Sequence, residues 1–162
     1  MSDSTEPRCL SLLYQLYVAN SESRRFMRLA LRDTGMSGEE YGIYSYFFAN
    51  GARTLTQAAA DLGYPVTTLA SLLAPIVEGG ELVRRSHPQD RRARLLELTE
   101  AGRERLARAI PAFSRAYDAL TARLAEADAD TEELFAALAT IRSSIARTNE
   151  LLEAEAGDHV SR

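Results

Sequence analysis

Apolar residues recur along most of this chain at steps of three and four, a pattern that predicts helices almost throughout. From residue 8 to residue 34, Leu10, Leu13, Leu16, Tyr17, Met27, Ala30 and Leu31 mark one long amphipathic helix with a polar middle from Asn20 to Arg25. Ser37-Gly38-Glu39-Glu40 reads as a capping box opening a second helix, with Met36 and Tyr41 as the hydrophobic staple around it. That helix carries Tyr41, Tyr44, Phe47 and Phe48 and stops at Asn50-Gly51. Thr54 or Thr56 caps a short helix that closes at Gly63. Pro65 suits the first turn of the next, whose apolar face is Leu69, Leu72, Leu73 and Ile76, with Thr67, Thr68, Ser71 and Ala74 pointing elsewhere.

After Gly80 the period changes. Leu82 with Val83, and Leu95 to Leu98, are short apolar runs around the turn residues His87-Pro88-Gln89-Asp90, the signature of a hairpin. Thr99 then caps a long helix on which Leu106, Ile110, Phe113, Tyr117, Leu120 and Leu124 form a heptad seam. Pro111 predicts a bend in it near Ala109 or Ile110. Asp130, with Glu133 three residues on, opens a last helix that repeats the seam at Leu134, Leu138, Ile141, Ile145, Thr148 and Leu152. The short acidic turn between the two predicts antiparallel packing, and a seam this narrow must meet the first helix, a second copy, or both. Residues 156–162 lack an apolar anchor and read as a disordered tail.

Charge changes this picture locally. The net charge is -4, yet Arg84, Arg85, Arg91, Arg92 and Arg94 crowd one hairpin against Asp90 alone before Glu97. All nineteen basic residues are arginine, which reads first as compositional bias and second as a fit to bidentate phosphate contacts. Two short helices joined at Gly63 and followed by a cationic hairpin form a winged helix-turn-helix, with the second helix suited to a major groove and the hairpin to the adjacent minor groove. A hairpin that is merely solvated is the competing reading of the arginines.

Other chemistries find little support. No apolar run reaches the length of a membrane span, and the first eight residues lack the pattern of a signal peptide, so a cytoplasmic protein with no membrane partner is expected. One cysteine, Cys9, and two histidines, His87 and His159, provide neither an internal disulfide nor a metal-ligand cluster. No nucleophile, base and acid fall at suggestive spacing and no glycine-rich phosphate loop is present, so no enzyme, cofactor or metal is expected.

Together these residues resemble the MarR-type (multiple antibiotic resistance regulator) family of dimeric winged-helix transcription factors. The resemblance follows the element order from roughly Leu12 to Leu152. Its most specific parts are Leu82-Val83-Arg84-Arg85, Asp90-Arg91-Arg92 and Leu98-Thr99-Glu100-Ala101-Gly102. It implies a mainly α fold with a small two-stranded β-hairpin, in which a winged helix-turn-helix over residues 36–98 lies between an N-terminal dimerisation helix, 8–34, and a C-terminal dimerisation hairpin, 99–155. It also implies a homodimeric, ligand-responsive regulator, a repressor, on a pseudo-palindromic double-stranded DNA operator. Thr67, Thr68 and Ser71 would face the major groove. Arg92, braced by Asp90, and then Arg91 would reach the minor groove, and Arg84 and Arg85 of the same wing would also bind DNA.

The same resemblance implies a small aromatic or phenolic effector. Tyr14, Tyr17, Tyr41 and Tyr44 are then candidates to line its cleft, although core positions suit them equally. One branch of the family senses hydroperoxides through a cysteine in the first helix, which makes Cys9 a redox candidate, one helical turn earlier than usual. The chain departs from the pattern in one respect: Pro65 to Glu78 contains no arginine. That departure favours a second reading from another class, a winged-helix dimer serving as a protein-interaction or ligand-binding module with weak or no specific DNA binding.

Overall fold

In the computed structural model, residues 12–86, 89 and 92–160 are described, the last five as backbone only. Among the described residues, six helices and three short strands follow one another: α1 Leu12–Ala30, α2 Gly38–Asn50, β1 Arg53–Thr54, α3 Leu55–Leu62, α4 Val66–Glu78, β2 Leu82–Ser86, β3 Arg94–Leu98, α5 Glu100–Glu126 and α6 Thr131–Val160. The chain divides into two units, one up to Ala116 and one from Tyr117. None of the described helices is by itself long and apolar enough to cross a membrane.

The core of the first unit forms where the apolar faces of the helices meet the sheet. Leu31, Met36, Ile43, Tyr44, Phe47, Ala58, Ala59, Leu69, Leu73, Ile76, Leu82, Leu96, Leu98, Leu106 and Ala109 are all buried in one cluster. Ser37 opens α2 with the expected capping box: its hydroxyl accepts from the Glu40 amide at 3.1 Å while the Glu40 carboxylate accepts from the Ser37 amide at 2.8 Å. Gly38 lets α2 approach α1 closely, because a Cβ there would come within 2.7 Å of Met27 Cβ.

The sheet has three strands in the order β1-β3-β2, not the two expected. β1 is only two residues long and pairs Arg53 with Leu96 and Thr54 with Leu95, too short to leave a period in the sequence. The hairpin strands also reach closer to the tip than their apolar runs suggest, through Ser86 and from Arg94, since backbone pairing continues where side chains turn polar.

The second unit opens its last helix as expected and departs from expectation only at that helix's end. Asp130 caps α6 by accepting from the amides of Glu132 and Glu133, at 2.7 and 3.2 Å. The turn before it passes through Asp128 with φ 52°. As its narrowness implies, the seam is not closed within the single chain: Leu134, Leu138 and Leu152 are exposed, and Leu124, Ile141 and Ile145 are half-buried. One pair of helices has too little facing surface to cover both apolar stripes. Helix α6 continues to Val160, into the stretch 156–162 that was expected to be a tail. Its run of helix-favouring Ala and Glu sustains backbone hydrogen bonds without an apolar anchor.

Candidate nucleic-acid interface

The helix-turn-helix is built by local chemistry. Thr54 and Gln57 form a second capping box, with the Thr54 hydroxyl accepting from the Gln57 amide at 3.2 Å and the Gln57 side-chain oxygen accepting from the Thr54 amide at 3.0 Å. Gly63 ends α3 with φ 72°, a left-handed conformation that reverses the chain into Pro65 and α4. Pro65 itself is the N-cap residue, one position before the first turn. Leu69, Leu73 and Ile76 anchor α4 to the core, leaving Thr67, Thr68 and Ser71 exposed. The Ser71 hydroxyl donates to the Thr67 carbonyl at 3.1 Å. Tyr46 in α2 donates to Asp61 in α3 at 2.6 Å, and burial together with that bond pushes the phenol up to about 12.

The hairpin register places Leu82 opposite Leu98, Arg84 opposite Leu96 and Ser86 opposite Arg94 on one face. That face is core at its base and solvent toward the tip, so Arg84 and Arg94 are exposed. Arg94 leans on the Ser86 hydroxyl at 3.4 Å. On the other face Arg85 pairs with Glu97 at 2.6 Å, a partner the sequence pattern did not assign to it. Exposed pairs of this kind are worth about 0–1 kcal/mol, small enough for Arg85 to exchange Glu97 for another anion. Arg92 is exposed. Asp90, Arg91 and Cys9 lie outside the described residues.

Behind the hairpin sits a polar node that periodicity did not reveal. Arg105 on α5 donates to Glu81 at 2.8 Å, to Glu40 at 2.9 Å and to the Gly35 carbonyl at 3.2 Å, and Tyr44 donates to the same Glu81 oxygen. Burial alone would raise the Glu81 carboxyl, but hydrogen bonds from Tyr44 and Arg105 outweigh it and hold the group below the usual carboxylate range. Burial, reinforced by the bond to Glu81, raises the Tyr44 phenol well above its ordinary value. Glu81 lies between α4 and β2, so this node ties the turn joining helix to hairpin onto α2 and α5. Nearby, the Thr99 amide donates to the Glu81 carbonyl at 3.1 Å and the Thr99 hydroxyl to the Gly80 carbonyl at 2.8 Å. Gly102 is buried against the same turn, which supplies a physical reason for glycine three residues after that threonine.

The four candidate tyrosines do not share one place. Tyr14 and Tyr17 are exposed on α1, Tyr41 stacks on Phe113 at 4.5 Å, and Tyr44 is fully buried. None of them lines the cleft of about 710 Å³ between α1, α2 and the end of α3. Its apolar lining is Met27, Met36, Ile43, Leu62 and Tyr64, and Arg24 and Arg28 of α1, Arg32 just after it and Glu39 of α2 supply its charged edge. Arg24 pairs with Glu39 at 2.6 Å and Arg32 with Asp33 at 3.2 Å.

A helix anchored by its apolar face, a serine and two threonines turned outward, and an arginine-bearing hairpin beside it define a winged helix-turn-helix protein. The solved structures similar to it narrow the class. The transcriptional repressor CouR bound to a 23-mer DNA duplex matches with a TM-score of 0.71 at 27% identity, over 85% of this chain and 99% of that one. BpsR of Bordetella bronchiseptica, whose DNA binding is regulated by 6-hydroxynicotinic acid, matches at 0.69 with 16% identity over 87% and 97%. MarR from E. coli matches at 0.62 with 17% identity over 85% and 96%. No family model and no curated protein sequence matches the chain. The chain shares its winged-helix fold with CouR, BpsR and MarR.

Proposed function

We propose that this protein is a homodimeric, ligand-responsive DNA-binding regulator that represses transcription from a pseudo-palindromic operator. The observation that carries the reading is the pairing, within one unit, of the outward face of α4 with the arginine hairpin β2–β3, in a fold shared with a repressor bound to duplex DNA. Helix α4 enters the major groove and presents Thr67, Thr68 and Ser71. Arg84, Arg85, Arg91 and Arg92 approach the minor groove, where the potential is most negative. With no cation on α4, phosphate and minor-groove contacts from the hairpin supply most of the affinity.

Residues 36–98 act as the DNA-binding unit. Dimerisation falls to α1 and the α5–α6 segment, which leave Leu12, Leu13, Tyr17, Leu134, Phe135 and Leu138 exposed in the single chain. Two-fold symmetry then sets the reading helices about 34 Å apart, one DNA turn, so a small hinge motion abolishes simultaneous docking. The effector is a small aromatic or phenolic compound. The cleft between α1 and α2 suits such a compound by its apolar floor, with Glu39 and the paired Arg24 and Arg32 at its polar edge.

The test is binding of the full-length protein to a labelled fragment of its own upstream intergenic region, against a scrambled duplex of equal length, at two salt concentrations. Saturable preference for the native fragment by a factor of about a thousand or more is expected. Weak and equal binding to both, together with no enrichment from a random duplex pool, would favour the interaction-module reading.

A further inference from the structure

Side chains read the major groove by chemical type. Arginine and lysine take guanine, asparagine and glutamine take adenine, carboxylates take the cytosine amino group, and apolar carbon takes the thymine methyl. From Val66 to Val77, α4 contains no arginine, lysine, asparagine, glutamine, histidine, aspartate or glutamate. It therefore has no bidentate reader for guanine or adenine. What its outer surface does carry is methyl groups and hydroxyls.

The geometry sharpens this. With Leu69, Leu73 and Ile76 turned to the core, Thr67 and Ser71 lie one turn apart near the middle of the outward face. Ser71 spends its hydroxyl proton on the Thr67 carbonyl at 3.1 Å. Toward solvent it can only accept, which suits the amino group of adenine or cytosine and not the acceptor pair of guanine. Val66, 44% exposed in the first turn, offers only carbon.

Taking α4 as the reading helix proposed above, we infer that it reads thymine: the γ-methyl of Thr67, assisted by Val66, packs on the C5-methyl of thymine, and Thr67 is a specificity-determining residue through its methyl group. Its hydroxyl is secondary. Burying one such methyl is worth about a fourfold gain in affinity.

The experiment uses duplexes selected by the full-length protein from a random-sequence pool. Each is compared with the same duplex in which uracil replaces thymine, a change that deletes the major-groove methyls and leaves the pairing edges intact. The wild type should lose at least about fourfold in affinity on the uracil duplex. Thr67→Ser, which keeps the hydroxyl, should lose a similar factor on the thymine duplex and respond less to uracil. Thr67→Val, which keeps the methyl, should retain the thymine-over-uracil ratio.

Equal binding of thymine and uracil duplexes by the wild type would overturn the inference while leaving DNA recognition intact. So would a Thr67→Ser response to uracil identical to that of the wild type. A pool that yields no enriched duplex would overturn the DNA-binding reading itself, and the inference with it.

Discussion

Gly102→Ala places two opposing effects in one residue. Alanine in place of glycine inside a helix is favourable by about 1 kcal/mol, so a residue in a 27-residue helix would ordinarily be improved by it. At this position, however, the added Cβ would lie 2.3 Å from the Glu81 carbonyl oxygen and 2.7 Å from Leu98 Cδ2. The first neighbour is backbone and cannot swing away, so α5 must retreat by about 1 Å from a close-packed turn. Overpacking of that kind costs about 1–3 kcal/mol. The retreat also stretches the bonds from Thr99 to Glu81 and Gly80, now 3.1 and 2.8 Å, each worth about 1 kcal/mol. Steric and hydrogen-bond losses outweigh propensity, and a net destabilisation of about 1–3 kcal/mol is expected. Gly42→Ala is the matched control, since it lies inside α2 with nothing within 4 Å of the added carbon. It should stabilise by up to about 1 kcal/mol. Urea denaturation followed by circular dichroism, at fixed protomer concentration, reads both. Gly102→Ala at least as stable as the wild type would refute the close approach of α5 to the Glu81 turn.

Four further outcomes can be measured. Glu81→Gln should be less stable than the wild type at neutral pH. Because the native carboxyl sits below the ordinary range, its contribution is whole above that range and fades as pH falls through the native value, so the gap in urea midpoints should close in acid. Tyr44 runs the other way: its raised phenol keeps its proton while the unfolded chain ionises near pH 10, so stability falls as pH rises past 10, and Tyr44→Phe should flatten that alkaline limb. Arg84→Ala should lower the log-log salt slope of DNA binding by about one unit, measured by fluorescence anisotropy, and an unchanged slope would remove Arg84 from the phosphate contacts. Phe135→Glu with Leu138→Glu should leave a folded monomer in light scattering because both side chains are exposed in the single chain, whereas Phe113→Glu should unfold the first unit, where the ring stacks on Tyr41.

Much of the fold was legible in the chain because it rests on short-range rules. The capping box at Ser37 and the left-handed glycine at Gly63 each depend on residues within four positions of one another, so local chemistry alone placed those helix ends. At the start of α3 it narrowed the cap to Thr54 or Thr56, and the fold chose Thr54. The outward position of Thr67, Thr68 and Ser71 followed from the period of Leu69, Leu73 and Ile76 in the same way. The resemblance to MarR-type regulators rested on spacing in one hairpin and the helix after it, which is again local information.

What the tertiary structure alone decided depends on residues distant in sequence. Arg105 reaches Glu40 across 65 positions and Glu81 across 24, and no pattern marks such a meeting in advance. Strand β1 exists because β3 passes beside two residues that have no strand period of their own. Tyr44 and Tyr14 look alike in sequence, yet one is fully buried beneath Glu81 and the other exposed on α1, because burial is set by what packs over a residue. By itself the sequence determined where helices begin, which faces are apolar and where cationic charge gathers, since a few neighbours settle each of these. Only the folded chain determined which charges are engaged, which aromatics are core and how closely α5 rests on the turn between helix and hairpin, since these are properties of distances between segments.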